Sequence, residues 1–429
     1  MPKPLDAEVH SHFFLCLGCY VRLFPYICFC KILKESDMKK ALLLFCCLLG
    51  GMVVQAQEPL IEPEEGRTLL ERFTKGGKSI TSSSMNLQFY TSAAANFVDG
   101  SLDEAAFKIN GVRLELLGDF GKNFSYHFRQ SFNKYSNPRS VDNLSSSVEC
   151  ASVGWKMNPR FALTVGKQAI QLGGYEYWVN SIRVREFSDF NNYIDCYQAG
   201  VNGCIILKPD QHLNVQVVNN AAGKGEEAFL YGTPEGVEKV KVPVLSTLNW
   251  DGYFFDRGLN LRYSVSWGEL ARKRDILYLT AGNVWEKGPI VAYVDLMYSR
   301  EGIDTKGLVS ELSATLPEGG VTAQHVQYFT TIVNFDYRIH KHWNVYAKGA
   351  YELGGVYKAN GPYEEGLYRR TWNTQLCAEY FPMDNSELKI YLHLLYKKYG
   401  LTSRARALGA DDSSSQRISL GLVYTIPVF

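Results

Sequence analysis

The chain has 429 residues, with 45 Lys and Arg against 44 Asp and Glu, so its formal net charge is only +1. That balance points away from a nucleic-acid partner. Mean hydropathy is −0.16, too polar for a bundle of membrane helices but suited to a soluble protein, or to a barrel whose strands alternate polar and apolar residues.

The first segment in chain order reads as targeting. Met38-Lys39-Lys40 is a positive n-region, residues 41–54 form an apolar h-region, and Val54-Gln55-Ala56 offers small residues for cleavage before Gln57. Residues 38–56 are therefore expected to be a secretory signal peptide. Residues 1–37 hold Cys16, Cys19, Cys28 and Cys30 in an aromatic stretch, and the simplest account is an upstream extension from a wrongly chosen start codon. The alternative is an extra membrane segment at 13–29, which is short and carries Arg22 and Pro25. Residues 57–83 do not alternate, and their acidic run at 62–71 suggests a periplasmic N-terminal extension. Cys150, Cys196, Cys204 and Cys377 remain beyond it with no CxxC pair, which argues against a zinc knuckle or a redox motif. Cys196 and Cys204 could pair, although structural thiols are the favoured reading.

After Ala56 no run of about 20 apolar residues occurs, so no transmembrane helix is expected. Period-2 alternation recurs instead. Leu259, Leu261, Tyr263, Val265 and Trp267 oppose Asn260, Arg262, Ser264 and Ser266, while Leu388, Ile390, Leu392, Leu394 and Tyr396 oppose Lys389, Tyr391, His393 and Leu395. The pattern predicts strands near 84–97, 106–120, 124–132, 148–156, 161–168, 195–206, 212–220, 244–254, 259–269, 275–285, 290–299, 326–338, 343–352, 371–380, 388–397 and 417–426. Sixteen is an even number, as closure of a bacterial antiparallel barrel requires. The connections sort by length: short turns at 121–123, 157–160, 207–211, 255–258, 286–289, 339–342 and 381–387 alternate with long loops at 133–147, 169–194, 221–243, 300–325, 353–370 and 398–416, and 270–274 is the brief exception. Short periplasmic turns and long external loops are the asymmetry of a transmembrane β-barrel. Aromatics such as Phe120, Phe124, Trp155, Trp285 and Trp343 flank the short turns, and Trp267, Tyr351 and Trp372 lie at the other ends, predicting two interfacial girdles. Phe429 supplies a terminal aromatic outside the register of the last strand, and Pro427 could shift that register through a bulge.

Catalytic and cofactor motifs are weak. Gly76-Gly77-Lys78-Ser79 has Arg72 where a phosphate loop needs glycine. His340-Lys341-His342 reads as a solvated turn, and Asp411-Asp412 as a loop tip with no placed histidine. No enzyme, metal or cofactor is expected. If the apolar faces meet lipid, the polar faces line a lumen, giving Arg113, Arg129, Arg262, Lys348 and Lys389 as pore-lining cations, with His127, His393 and Lys397 beside them and Glu115, Glu149, Asp295, Asp336, Glu352 and Glu379 as acids. The long loop 169–194 could fold inward and narrow the pore, with Arg183 and Arg185 at the constriction and Glu186 and Asp189 partly cancelling them. The alternative is that Arg183 and Arg185 are ordinary surface charges.

Gly111-Val112-Arg113-Leu114-Glu115-Leu116 running into Gly118, then Asn123-Phe124-Ser125-Tyr126-His127-Phe128, the segment 148–155, and Leu163-Thr164-Val165-Gly166-Lys167-Gln168 together resemble the phosphate-selective porin O and P family. The resemblance spans most of residues 84–429. It implies a 16-stranded barrel in the outer membrane of a Gram-negative bacterium, usually a homotrimer, with its third loop folded into the pore. It further implies Arg and Lys at the constriction, where Arg183 and Arg185, with Lys167 at the strand end, are the residues that can be placed. The family's long basic ladder is not evident here, so a weak anion (phosphate-like) preference is expected and tight phosphate binding is not. Small hydrophilic solutes or anions and outer-membrane lipid are the expected partners. The competing reading is a structural or adhesive outer-membrane barrel whose external loops bind a partner.

Overall fold

The computed structural model describes residues 83–428, except 121, 135–141, 318 and 385 and the side chain of residue 226. The expected extension at 1–37, signal peptide at 38–56 and periplasmic segment at 57–83 lie outside the described residues, apart from Ser83, which opens the first strand. Sixteen strands follow in order: β1 (Ser83–Val98), β2 (Ser101–Phe120), β3 (Phe124–Ser131), β4 (Val148–Asn158), β5 (Phe161–Ala169), β6 (Tyr197–Lys208), β7 (Gln211–Asn219) and β8 (Val244–Phe254). Then come β9 (Leu259–Ala271), β10 (Arg274–Lys287), β11 (Ile290–Ile303), β12 (Gln324–His340), β13 (Trp343–Val356), β14 (Gly366–Tyr380), β15 (Lys389–Leu401) and β16 (Ser413–Pro427). Each pairs antiparallel with its sequence neighbours, and β1 closes on β16. The barrel thus satisfies every strand edge internally, the condition for spanning lipid with strands.

The two-residue period decides which side chains meet lipid. In β15, Ile390, Leu392, Leu394 and Tyr396 are 39–47% exposed on the outer face, while Lys389, Tyr391, His393, Leu395 and Lys397 are buried against what fills the lumen. The aromatic girdles are present. Phe120 stacks on Phe124 with centroids 5.3 Å apart, and Phe124 on Trp155 at 6.1 Å, beside the short turns. Tyr351 and Trp372 lie 4.3 Å apart toward the other end.

The sorted connections also hold, with two corrections. The first hairpin is tighter than expected: β2 begins at Ser101, and the turn is Asp99 (φ 49°) and Gly100 (φ 82°), the left-handed pair that a two-residue turn requires. Two connections at the long-loop end are therefore short, 99–100 and 272–273. Pro427 pairs with Asn86 in a continuous β1–β16 register with no bulge, and the Val428 N–H donates to the Met85 carbonyl at 2.7 Å. Phe429 lies outside the described residues.

Besides a small cluster of Ile182 with Cys377, Tyr391 and Val423, two larger apolar clusters sit off the strands' lipid face. One packs Leu172, Phe190 and Ile194 of the connection 170–196 against Val218, Leu245, Tyr278, Met297 and Ile332 of the barrel wall. The other joins Leu308, Val309, Tyr363, Ala405 and Leu408 of the long loops to Val326, Tyr328 and Val356. The first holds a loop inside the barrel, and the second ties several long loops into a cap over one side of the mouth.

Candidate pore and its inward loop

Residues 170–196 leave β5, cross the lumen and return to β6. The crossing is fixed by backbone groups that would otherwise be orphaned, since the segment makes few ladder bonds of its own. The Gly173 N–H donates to Ser264 Oγ at 2.9 Å and to Thr280 Oγ1 at 2.7 Å. The Tyr175 and Glu176 N–H groups donate to the carboxylate of Asp295, which is fully buried, at 2.8 Å. A Cβ at Gly173 would come within 2.6 Å of the Arg262 carbonyl, so only glycine lets the chain lie this close to β9 and β10.

Charge pairing then straps the loop to β13–β16. Glu176 pairs with Lys348 at 2.7 Å, Glu186 with Lys397 at 2.6 Å and Arg417 at 2.9 Å, and Asp189 with Arg369 at 2.6 Å. Lys348 also donates to the Glu186 carbonyl. Burial alone would raise the pKa of Glu186, a loop residue, but Lys397 and Arg417 outweigh it and hold the carboxyl below its usual range. At the tip Phe190 touches the ammonium of Lys306, which is fully buried with its partner Glu301. The long loop after β11 therefore supports the inward loop from the mouth side.

Beside the loop an open cavity of about 3500 Å³ runs along the β1–β6 wall, from Lys134, Ser146 and Lys224 at the long-loop end to Arg338, Lys341 and Asp384 at the short-turn end. Its wall mixes polar and apolar surface and carries charged groups of both signs. Arg113 reaches from β2 to the loop, where Nη1 donates to Asn180 Oδ1 at 3.1 Å and Nη2 to Ser181 Oγ at 2.6 Å.

The residues picked out from the sequence fall into distinct settings. Arg113 and Arg129 line the cavity and both reach Glu149, at 3.3 and 2.9 Å. Lys167 lines it too, but is buried against Asp142 at 3.0 Å. Arg183 is half exposed and pairs with Glu387 at 2.9 Å in the turn before β15. Arg185 has no exposed side-chain surface: it pairs with Glu379 at 3.2 Å and lies between the rings of Tyr90 and Tyr391, 4.9 and 4.2 Å from their centroids. Arg262 is not among the cavity-lining residues. It pairs with Asp251 at 2.9 Å and covers the Trp178 ring. Lys348 and Lys389 are buried against Glu176 and Glu379, each at 2.7 Å. Sequence reading missed Asn180, Ser181, Lys306, Arg369 and Arg417. Arg369 and Arg417 sit at inward positions of their strands and were findable by parity, whereas the loop residues carried no such signal.

His340-Lys341-His342 forms a turn, with His342 Nδ1 2.8 Å from the Phe381 carbonyl. Asp412 accepts from the Leu401 N–H at 2.8 Å and shapes its loop. The four described cysteines are unpaired thiols, so Cys196 and Cys204 do not bridge. Among the described residues no group of His, Cys, Asp and Glu could hold a metal ion.

A closed sixteen-stranded barrel with apolar outer faces, aromatic girdles and a cavity lined by charges of both signs past an inward loop defines the class of outer-membrane channels. The chain belongs to the phosphate-selective porin O and P family, whose profile matches residues 85–426. No curated protein sequence matches it. Among solved structures, its fold is similar to the outer-membrane channel DcaP of Acinetobacter baumannii, at 11% identity and TM-score 0.55 over 81% of this chain and 98% of that one. It is also similar to the anion-selective porin from Comamonas acidovorans, at 11% identity and TM-score 0.53 over 80% of this chain and 99% of that one.

Proposed function

We propose that this porin conducts small hydrophilic solutes by passive diffusion across the outer membrane of a Gram-negative bacterium, with a weak anion (phosphate-like) preference. The observation that carries this reading is the open cavity of about 3500 Å³ beside the inward loop, bounded by charges of both signs. A passage of that kind admits hydrated solutes, and selectivity is set where wall charges lie closest to the path. Residues 38–56 direct export in this reading, and residues 57–83 stay on the periplasmic side.

Of the three cations assigned to the constriction, Lys167 and Arg183 border the path, and Arg185 acts by holding the loop in place. Because each has a carboxylate partner, their field on a passing ion is reduced, which supports a weak preference. The chain assembles as a homotrimer in this reading. Thr91, Ala93 and Ala95 alternate with the inward-facing Tyr90, Ser92 and Ala94 of β1, and such small outward side chains let a second barrel approach closely. The reversal potential in a planar bilayer under a potassium chloride gradient tests the preference: a small potential of anion-selective sign is expected, and a cation-selective sign contradicts it.

A further inference from the structure

The β2–β4 wall, which Arg113 ties to the inward loop, holds a convergence of charges around one carboxylate. Arg113, Arg129 and Lys134 converge on the single carboxylate of Glu149. Its Oε2 lies 3.3 Å from Arg113 Nε and 2.9 Å from Arg129 Nε, and its Oε1 lies 2.8 Å from Lys134 Nζ. Ser131 Oγ donates to Oε1 at 2.8 Å as well. The carboxylate is 1% exposed, whereas Lys134 is 46% exposed to the cavity. Two guanidiniums, an ammonium and a hydroxyl around two charged oxygens are the donor set that an oxyanion solute would attract, because guanidinium and ammonium donors match carboxylate and phosphate oxygens.

We propose that Glu149 is the residue that sets the ion preference of this pore, by occupying with its own carboxylate the oxyanion site that Arg113, Arg129 and Lys134 would otherwise offer to solutes. The inference rests on the channel reading above and adds the determinant of its selectivity. Glu115 lies beside the cluster, 3.5 Å from Arg129 and 3.0 Å from His127 Nε2, so Arg113, Arg129 and Lys134, with His127 beside them, face two carboxylates and a positive excess remains. That excess is the weak anion preference. Removing the charge of Glu149 while keeping its shape leaves the three cations facing one carboxylate in a confined space, where solvent screens them less than in bulk water.

The test is Glu149→Gln in the full-length assembled porin, measured in planar bilayers beside the unsubstituted protein. The chloride-to-potassium permeability ratio is expected to rise by about fourfold, because one charge changes the partitioning of an ion passing roughly 8 Å away in a water-like medium by about twofold, in opposite senses for chloride and potassium. Millimolar inorganic phosphate is expected to reduce the chloride current of Glu149→Gln and to leave that of the unsubstituted protein unchanged. Lys134→Gln, an exposed change outside the strands, provides an independent arm should Glu149→Gln assemble poorly: it is expected to lower the ratio toward unity. An unchanged ratio in either assembled variant, with normal conductance, overturns the role of Glu149 alone. Absence of current from the unsubstituted protein overturns the channel reading and this inference together.

Discussion

Arg185 and Arg183 are one residue apart, yet they do different work. Arg185 has no exposed side-chain surface and lies between Tyr90 and Tyr391, with Glu379 as its counter-ion. Removing one partner of a buried pair costs on the order of 3 kcal/mol. Arg185→Ala is therefore expected to loosen the inward loop, giving larger and noisier single-channel currents, while Arg183→Ala leaves conductance nearly unchanged. Arg183 is 53% exposed in its pair with Glu387, and such surface pairs contribute about 0–1 kcal/mol. Current recordings of both variants check this; equal noise in the two contradicts the anchoring role of Arg185. The sequence placed Arg185 on the right loop, but its partners come from β1, β14 and β15. No local pattern announces a contact made by strands so distant along the chain.

At the scale of the strand, period-2 alternation made the faces legible because lipid penalises charge and the lumen accepts it. Leu392 is 47% exposed on the outer face of β15. Leu392→Arg is expected to depress the yield of assembled barrel, since a cation at mid-bilayer costs about 2–4 kcal/mol. Ser125→Arg, which faces the cavity, is expected to assemble normally. Heat-modifiable mobility on gels measures both yields, and comparable yields would reverse the assigned faces. What alternation could not give was the start of β2. Residues 101–105 lack a clear alternation, and the signal that fixes the hairpin is Asp99-Gly100, a pair suited to two consecutive positive φ values. The path of residues 170–196 was legible only as length. Its course depends on Asp295, Lys348, Arg369 and Arg417, which become neighbours only when the barrel closes.

For the whole molecule, the sorting of short turns from long loops assigns an orientation. Glu235 lies exposed in the long connection after β7, and Asp256 in the short turn after β8. A membrane-impermeant thiol reagent on intact cells is expected to label Glu235→Cys above the background of the unsubstituted chain and to spare Asp256→Cys. The opposite pattern would invert the barrel. The central claim is that this barrel is an open conduit past its inward loop, and single-channel recording of the purified, assembled protein in a planar bilayer tests it most directly. Discrete, long-lived conductance steps with a small anion-selective reversal potential are the expected result; a fully assembled barrel that inserts and passes no current would contradict it.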